Sequence, residues 1–442
     1  MRLSIAALVM SILAAACGGG SAPDPSTVPG GTGQGPDGSF AVGEVVKADL
    51  PRSTASVSSG DLAAVVAGDR ALGLELLREA AGDGNIMLSP YSVATALSMA
   101  YAGARGQTAA EMADVMHLTV EDQTLHGVRS AIDSALEELP PPQDDEDTRQ
   151  PFTIRPANSA WGQGGYPFQD DYLRVLAEGY GAGLRLVDYM HDPDGATDVI
   201  NQWTADATEG RIPDLIPAGA IDDLTRLVLV NAIWFEANWA EPFDPAATAD
   251  GSFTLLNGSE AVVPFMHMSI RTGYADTDLF EAVKLPYAGD ALMVIALPKT
   301  GSPADLAGAL RPQDLDVEWE DAMVDLALPK FEFDSTVPLK NLLTGMGMRA
   351  AFTPPVTGAP DEADFTGITQ ARELYVSDAL HDTSITVDEN GTEAAAASAV
   401  IMNIVSRPMA ATFSADRPFL FWIEHSPTAE PLFLGQVTNP AP

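Results

Sequence analysis

The chain of 442 residues has a single cysteine, Cys17, so no disulfide forms within it and its stability must come from packing. It is also short of bases: 23 Lys and Arg stand against 62 Asp and Glu, a formal net charge of −39. That balance excludes nucleic acid and anionic polysaccharides as partners, because both need clustered cations. Reaction motifs are missing too. There is no Gly-x-Ser-x-Gly elbow, no His-Glu-x-x-His and no cysteine pair for zinc. The six histidines, His117, His126, His191, His267, His381 and His425, are scattered singly. No catalytic constellation is recognisable, no metal or cofactor is expected, and the chain does not read as an enzyme.

The hydrophobic content is 46%, enough for a large folded core. Met1–Ala16 carries one early base, Arg2, and then an apolar run too short to span a bilayer. It reads as a secretory signal. Ala14-Ala15-Ala16-Cys17 resembles a bacterial lipobox, although Ala14 stands where Leu, Val or Ile is preferred. Lipidation of Cys17 is therefore expected, with ordinary cleavage near the alanine run as the alternative. Residues 18–43 are rich in Gly, Pro, Ser and Thr. They place a flexible tether across 17–59, with the folded domain over 60–442. Gly31, Gly33 and Gly35 follow no strand and make no phosphate loop. The expected location is outside the cytoplasm, lipid-anchored in a bacterial envelope or secreted.

Apolar spacing predicts a first helix over Asp61–Ala81. In Asn85–Met99, Ser89 suits a helix N-cap and Pro90 the first helical position. Ala157–Trp161 reads as a central strand. The ambiguous stretch is Glu389–Arg407. Its four alanines, Ala394 to Ala397, favour helix, whereas Val400, Ile401, Ile404 and Val405 favour strand. Small side chains without strong commitment suit a segment that is a loop in one state and a strand in another.

Glu389, Gly391, Thr392, Glu393, Ala394, Ala395, Ala396, Ala397 and Ser398 resemble the hinge of the reactive loop of inhibitory serpins. Ser89-Pro90-Tyr91-Ser92, the run Asn231, Phe235, Trp239 and Phe243, and the C-terminal Arg417–Phe421 and Leu432–Val437 are similar to other signatures of that family. Glu236 and Ala237 depart from its usual basic residue and glycine. The resemblance implies an α+β serpin fold: one domain of about nine helices and three β-sheets with an exposed reactive-centre loop. It implies a suicide-substrate protease inhibitor whose cleaved loop enters the main sheet. It also implies a buried polar network of Ser89, Ser92, Asn231 and His381 that controls sheet opening, and a breach residue in Trp239. The family's usual spacing, counted forward from Glu389, implies a reactive bond at Val405–Ser406, whereas counting back from Pro418 implies Arg407, which a proline follows. The apolar Met402, Ile404 and Val405 suit an elastase- or subtilisin-like serine protease, with a cysteine protease as the other class of partner. Some members bind heparin through a basic helix. The comparable Val120–Gln150 is acidic, so no heparin site is expected, nor any membrane contact beyond the lipid. A monomer is expected. The alternative is a non-inhibitory carrier or chaperone.

Overall fold

The local rules act first on the segment 85–101. Ser89 Oγ accepts a hydrogen bond from the Ser92 N–H at 3.2 Å, and Pro90 occupies the first turn of helix α2, Pro90–Tyr101. The preceding strand β2, Ile86–Leu88, ends at that cap. The first helix, α1, runs over Ser59–Ala80, capped by the Ser58 hydroxyl through the Asp61 N–H at 3.1 Å. In this computed structural model the described residues are 40–137, 153–208, 210, 212–377, 379–392 and 409–441. The remaining α-helices are α3 Gly106–Val115, α4 Asp122–Glu137, α5 Asp170–Tyr180, α6 Pro193–Ala207, α7 Pro303–Ala309 and α8 Leu339–Met346. Among the described residues there are thus eight α-helices, joined by three short 3-10 turns, against the nine or so expected.

The central sheet has seven strands. In spatial order they are β1 Val45–Val46, β4 Leu184–Val187, β3 Thr153–Gln163, β5 Leu227–Asn238, β13 Gly391–Thr392, β12 Leu380–Val387 and β11 Phe331–Pro338. The predicted strand around Ala157–Trp161 is β3, which pairs antiparallel with β5 from Thr153–Glu236 to Gly162–Leu227. Glu236 and Ala237 continue β5 without a bulge. The other sheet has nine strands, eight along its main path, β14 Met409–Ser414, β10 Glu320–Pro329, β7 Glu260–Asp276, β8 Phe280–Pro286, β9 Ala291–Pro298, β15 Phe419–His425, β16 Glu430–Val437 and β2, and the ninth, β6 Ala249–Thr254, beside β7. Only the end of β7, Tyr274–Asp276, pairs with β8. The nine strands therefore form two sheets joined at one corner, which makes three sheets in all.

Between the sheets lies an aromatic core that includes Phe235, Trp239, Tyr287, Phe331, Phe421 and Phe433. A second core packs α2 and α5 against Leu184, Leu186 and Leu227 of the central sheet. A third lies beneath α6, where Ile200 meets Trp161 and Val230. Burial of these side chains supplies the main stabilisation, at roughly 25 cal/mol per Å² of apolar surface.

Residues 40–58, expected to belong to the tether, instead lie on the fold. Val45 and Val46 pair with Arg185 and Leu184 and extend the central sheet by one strand. Phe40 covers Gly164, where an added Cβ would fall 2.1 Å from its ring. Arg52 bonds Glu137 at 2.7 Å and the Tyr180 carbonyl at 3.2 Å, tying the strap to α4 and α5. The edge of β4 has free backbone groups, and a short Val-Val segment satisfies them. Composition drew attention to the Gly/Pro-rich start and not to these two valines.

Candidate functional site

The hinge sits at one end of the central sheet. Gly391 pairs with Asn238 and Thr392 with Ala237 on β5, while Val387 of β12 pairs with Thr392 from the other side. The loop strand has thus begun to enter between β5 and β12. A tight turn feeds it: Asp388 Oδ1 accepts from the N–H groups of Asn390 and Gly391 at 2.8 and 3.3 Å. Gly391 is required by proximity. A Cβ there would lie 2.0 Å from the Ala237 carbonyl oxygen and 2.7 Å from the Asn238 Cα.

Thr392 is 2% exposed. Its hydroxyl lies 2.8 Å from the Tyr287 hydroxyl, whose ring stacks on Trp239 with centroids 4.5 Å apart and planes at 9°. Trp239 then reads the turn twice: its backbone N–H donates to the Asn390 carbonyl at 2.8 Å, and its Nε1–H to the Asp388 carbonyl at 3.0 Å. Phe243 N–H donates to the Glu389 carbonyl at 2.9 Å. Glu389 itself accepts from Lys330 Nζ and from Thr248 Oγ1, both at 2.8 Å. Burial pushes the Glu389 carboxyl up, but the Lys330 and Thr248 bonds outweigh it and hold the group below its ordinary range. The hinge is therefore anchored as a charged, bonded corner on an aromatic wall.

Farther along the sheet, β5 and β12 meet directly at Ala232–Asp382. His381, fully buried on β12, accepts from the Ser89 N–H at its Nε2, 2.8 Å away, so its ring proton is on Nδ1. Ser92 is buried one turn into α2 and donates its N–H to Ser89. Asn231 lies on β5, paired in register with Asn158. The structure thus brings His381, Ser89 and Ser92 together and puts Asn231 next to the Ala232–Asp382 junction. Thr383 Oγ1 also donates to the Met87 carbonyl at 3.0 Å, fixing β12 to β2.

Burial lowers the His381 pKa from 6.5 to about 4. The unfolded chain takes up a proton below pH 6.5 that the folded chain refuses, so this contribution to stability is present above 6.5 and is lost as pH falls toward 4. Acidifying from about pH 7 to about pH 5 should cost about 2 kcal/mol through this one group. The expected result is a larger drop in denaturation midpoint for wild type than for His381→Gln over that interval. His126, whose pKa burial also lowers to about 4, is common to both proteins and cancels. Parallel midpoints for the two proteins would refute the assignment.

Glu393 to Ser398, the bond Val405–Ser406, Arg407 and Cys17 lie outside the described residues. Sequence reasoning missed Tyr287, Lys330 and Thr248 as hinge residues. Tyr287 and Lys330 stand 105 and 59 residues from their partners Thr392 and Glu389, so no local pattern names the pairing. Among the described residues no group of acids, histidines or cysteines is arranged to hold a metal, and no helix is long and apolar enough to cross a membrane.

The sequence pattern of the family described as serpin (serine protease inhibitor) matches residues 68–440. An uncharacterized serpin-like protein of Thermococcus kodakarensis is 38% identical over 376 residues, covering 83% of either chain. The leukocyte elastase inhibitor of Bos taurus is 34% identical over 374 residues, covering 81% of this chain and 93% of that one. The crystal structure of a thermophilic serpin, tengpin, in the native state superposes with a TM-score of 0.74 at 26% identity, over 89% of this chain and 97% of that one. Agreement of that extent, in sequence and in fold, means that this chain belongs to the serpin family, a family described as protease inhibitors and not as enzymes.

Proposed function

We propose that the chain traps a serine protease as a suicide substrate. The observation that carries this reading is the register of β13. Continuing the β5 pairing sets Ala394 opposite Phe235, Ala396 opposite Ile233 and Ser398 opposite Asn231. Continuing the β12 pairing sets the same three residues opposite Ile385, Thr383 and His381. The two ladders agree: Ala397 falls opposite Ala232 on one side and Asp382 on the other, the very pair that now meets directly. The gap is thus cut for one more strand. Its inward residues would be Thr392, Ala394, Ala396 and Ser398, all small, while Glu393 would face out. About a dozen new backbone pairings, at roughly 1 kcal/mol each, supply a driving force on the order of ten kcal/mol, comparable to a domain's whole stability.

The chemistry belongs to the protease. Its serine oxygen attacks the Val405 carbonyl, the ester forms, the bond to Ser406 breaks, and the new amino terminus at Ser406 leaves. Insertion then carries the acylated residue away before water completes the reaction. In the continued register Met402 faces Leu227, the first residue of β5, so Val405 comes to rest just beyond the sheet. Met402, Ile404 and Val405 suit an elastase- or subtilisin-like pocket. In the same reading the head acts as a monomer outside the cell, on a lipidated Cys17 followed by the Gly/Pro-rich tether.

Incubation with elastase-, subtilisin-, chymotrypsin- and trypsin-like proteases tests this on a denaturing gel. The expected result is a complex that survives denaturant with one of the first two, and a released peptide beginning at Ser406. Cleavage by every protease without a complex, and without a gain in heat stability, would point to a non-inhibitory carrier or chaperone instead.

A further inference from the structure

Arg185 on β4 is an oddity of charge. The chain has 62 acids, yet among the described residues no carboxylate pairs with this guanidinium. Instead it lies over two indoles, 5.5 Å from the ring centroid of Trp161 and 5.1 Å from that of Trp203. The two rings meet edge to face, 5.8 Å apart with planes at 72°. Trp161 is the register partner of Arg185 on β3, and Trp203 comes from α6. Burial draws the guanidinium's pKa down. It stays charged, and its partners are π faces.

The residues after α6 are tied to it. The Asn201 side chain bonds both the carbonyl and the N–H of Ile216, each at 2.9 Å. Ile212, Leu215, Ile216 and Ile221 pack in one cluster with Trp161, Ile200 and Val230. Val230 is on β5, the strand beside which the loop strand would enter, and the continued register sets residue 399 opposite it. The α6 body therefore overhangs the entry lane and has to yield when the sheet widens by one strand, about 4.8 Å. Arg185 and Trp161 are its charged and aromatic tie to the sheet.

We propose that Arg185 is a brake on loop insertion: by holding Trp203, and with it the α6 body, against β3 and β4, it sets how fast the central sheet takes up the reactive-loop strand. This rests on the inhibitory reading above. It makes Arg185 a positioning residue, acting through Trp203.

The test warms the intact protein without protease and follows its conversion to a form with a raised denaturation midpoint. Arg185→Met should convert about tenfold faster, the loss of one or two half-buried cation–π contacts. Arg185→Lys, which keeps the charge without the flat fork, should fall between. Adding Trp203→Leu to Arg185→Met should give little further acceleration, because the two act through one contact. The midpoint of the cleaved, already inserted form should be equal in all variants, which a merely structural role would not leave untouched. Conversion at the wild-type rate in Arg185→Lys and Arg185→Met, or equal losses of midpoint in intact and cleaved forms, would overturn the brake. A wild type that gains no stability on cleavage would fail at the prior step, removing insertion itself and the brake with it.

Discussion

Thr392→Arg should be cleaved as readily as wild type and should trap almost nothing. Thr392 is enclosed by Ala237, Val387 and the Tyr287 hydroxyl, with 2% exposure. An arginine has no room there and no acid to meet, and a buried unpaired charge costs several kcal/mol. Each 1.4 kcal/mol slows insertion about tenfold, so the acyl bond is hydrolysed before the strand passes its second residue. Covalent complex should fall about a hundredfold or more on this count. The native hinge should also be expelled, since the same side chain is excluded from the breach before cleavage. Thr392→Val keeps the shape and removes only the bond to Tyr287, worth about 1 kcal/mol, so it should still trap. Undiminished complex with Thr392→Arg on a denaturing gel would refute insertion through this gap.

Arg129→Met should lower the denaturation free energy by about 3–5 kcal/mol. Arg129 on α4 is fully buried and grips Asp69 of α1 with both terminal nitrogens, at 2.5 and 2.6 Å, while Nε–H donates to Ser98 of α2 at 3.3 Å. Glu430 of β16 is buried beside Asp69, and burial and that neighbour together push its carboxyl well up. Removing the arginine leaves Asp69 as an uncompensated buried charge next to another acid. Replacing both partners, Arg129→Met with Asp69→Leu, should recover most of the loss, because a buried pair is costly to break and cheap to delete whole. Chemical denaturation of the three proteins decides it. A single variant as stable as wild type would mean that α4 carries its charge some other way.

What the sequence disclosed depended on how far apart the partners are. The Ser89–Pro90 start of α2 acts over three residues and was readable directly, whereas the first helix was read from Asp61 and in fact starts at Ser59, behind a Ser58 cap. Strand alternation says only that Thr392, Ala394 and Ala396 share a face; that the face is the inner one comes from the buried Thr392 hydroxyl beside Tyr287. The Asp69–Arg129 pair had only a faint signal. Leu125, Val128, Ile132 and Leu136 mark the buried face of α4, and Arg129 and Asp133 lie on it, which asks for partners without naming them. Tyr287 with Thr392 and Lys330 with Glu389 had no local signal, because tertiary packing alone brings them together. The strap over 40–58 was hidden by the composition of the residues before it, and by an edge on β4 that exists only once the sheet has folded.

The double ladder around Thr392 acts as a reading frame. Because strand side chains alternate with a period of two, the hinge pairing assigns every later residue of the loop to the inside or the outside in advance. A single-residue insertion just after Thr392 would swap the two sets, turning Glu393 and every odd-numbered neighbour toward the aromatic core, whereas a two-residue insertion would preserve parity. Length changes beyond Met402, past the start of β5, fall outside the frame altogether. Variation in this loop is therefore constrained by parity over its first eleven residues (392–402) and free beyond them. On the inhibitory reading proposed above, a segment that chose the protease could diverge quickly while the segment that closed the trap stayed in phase.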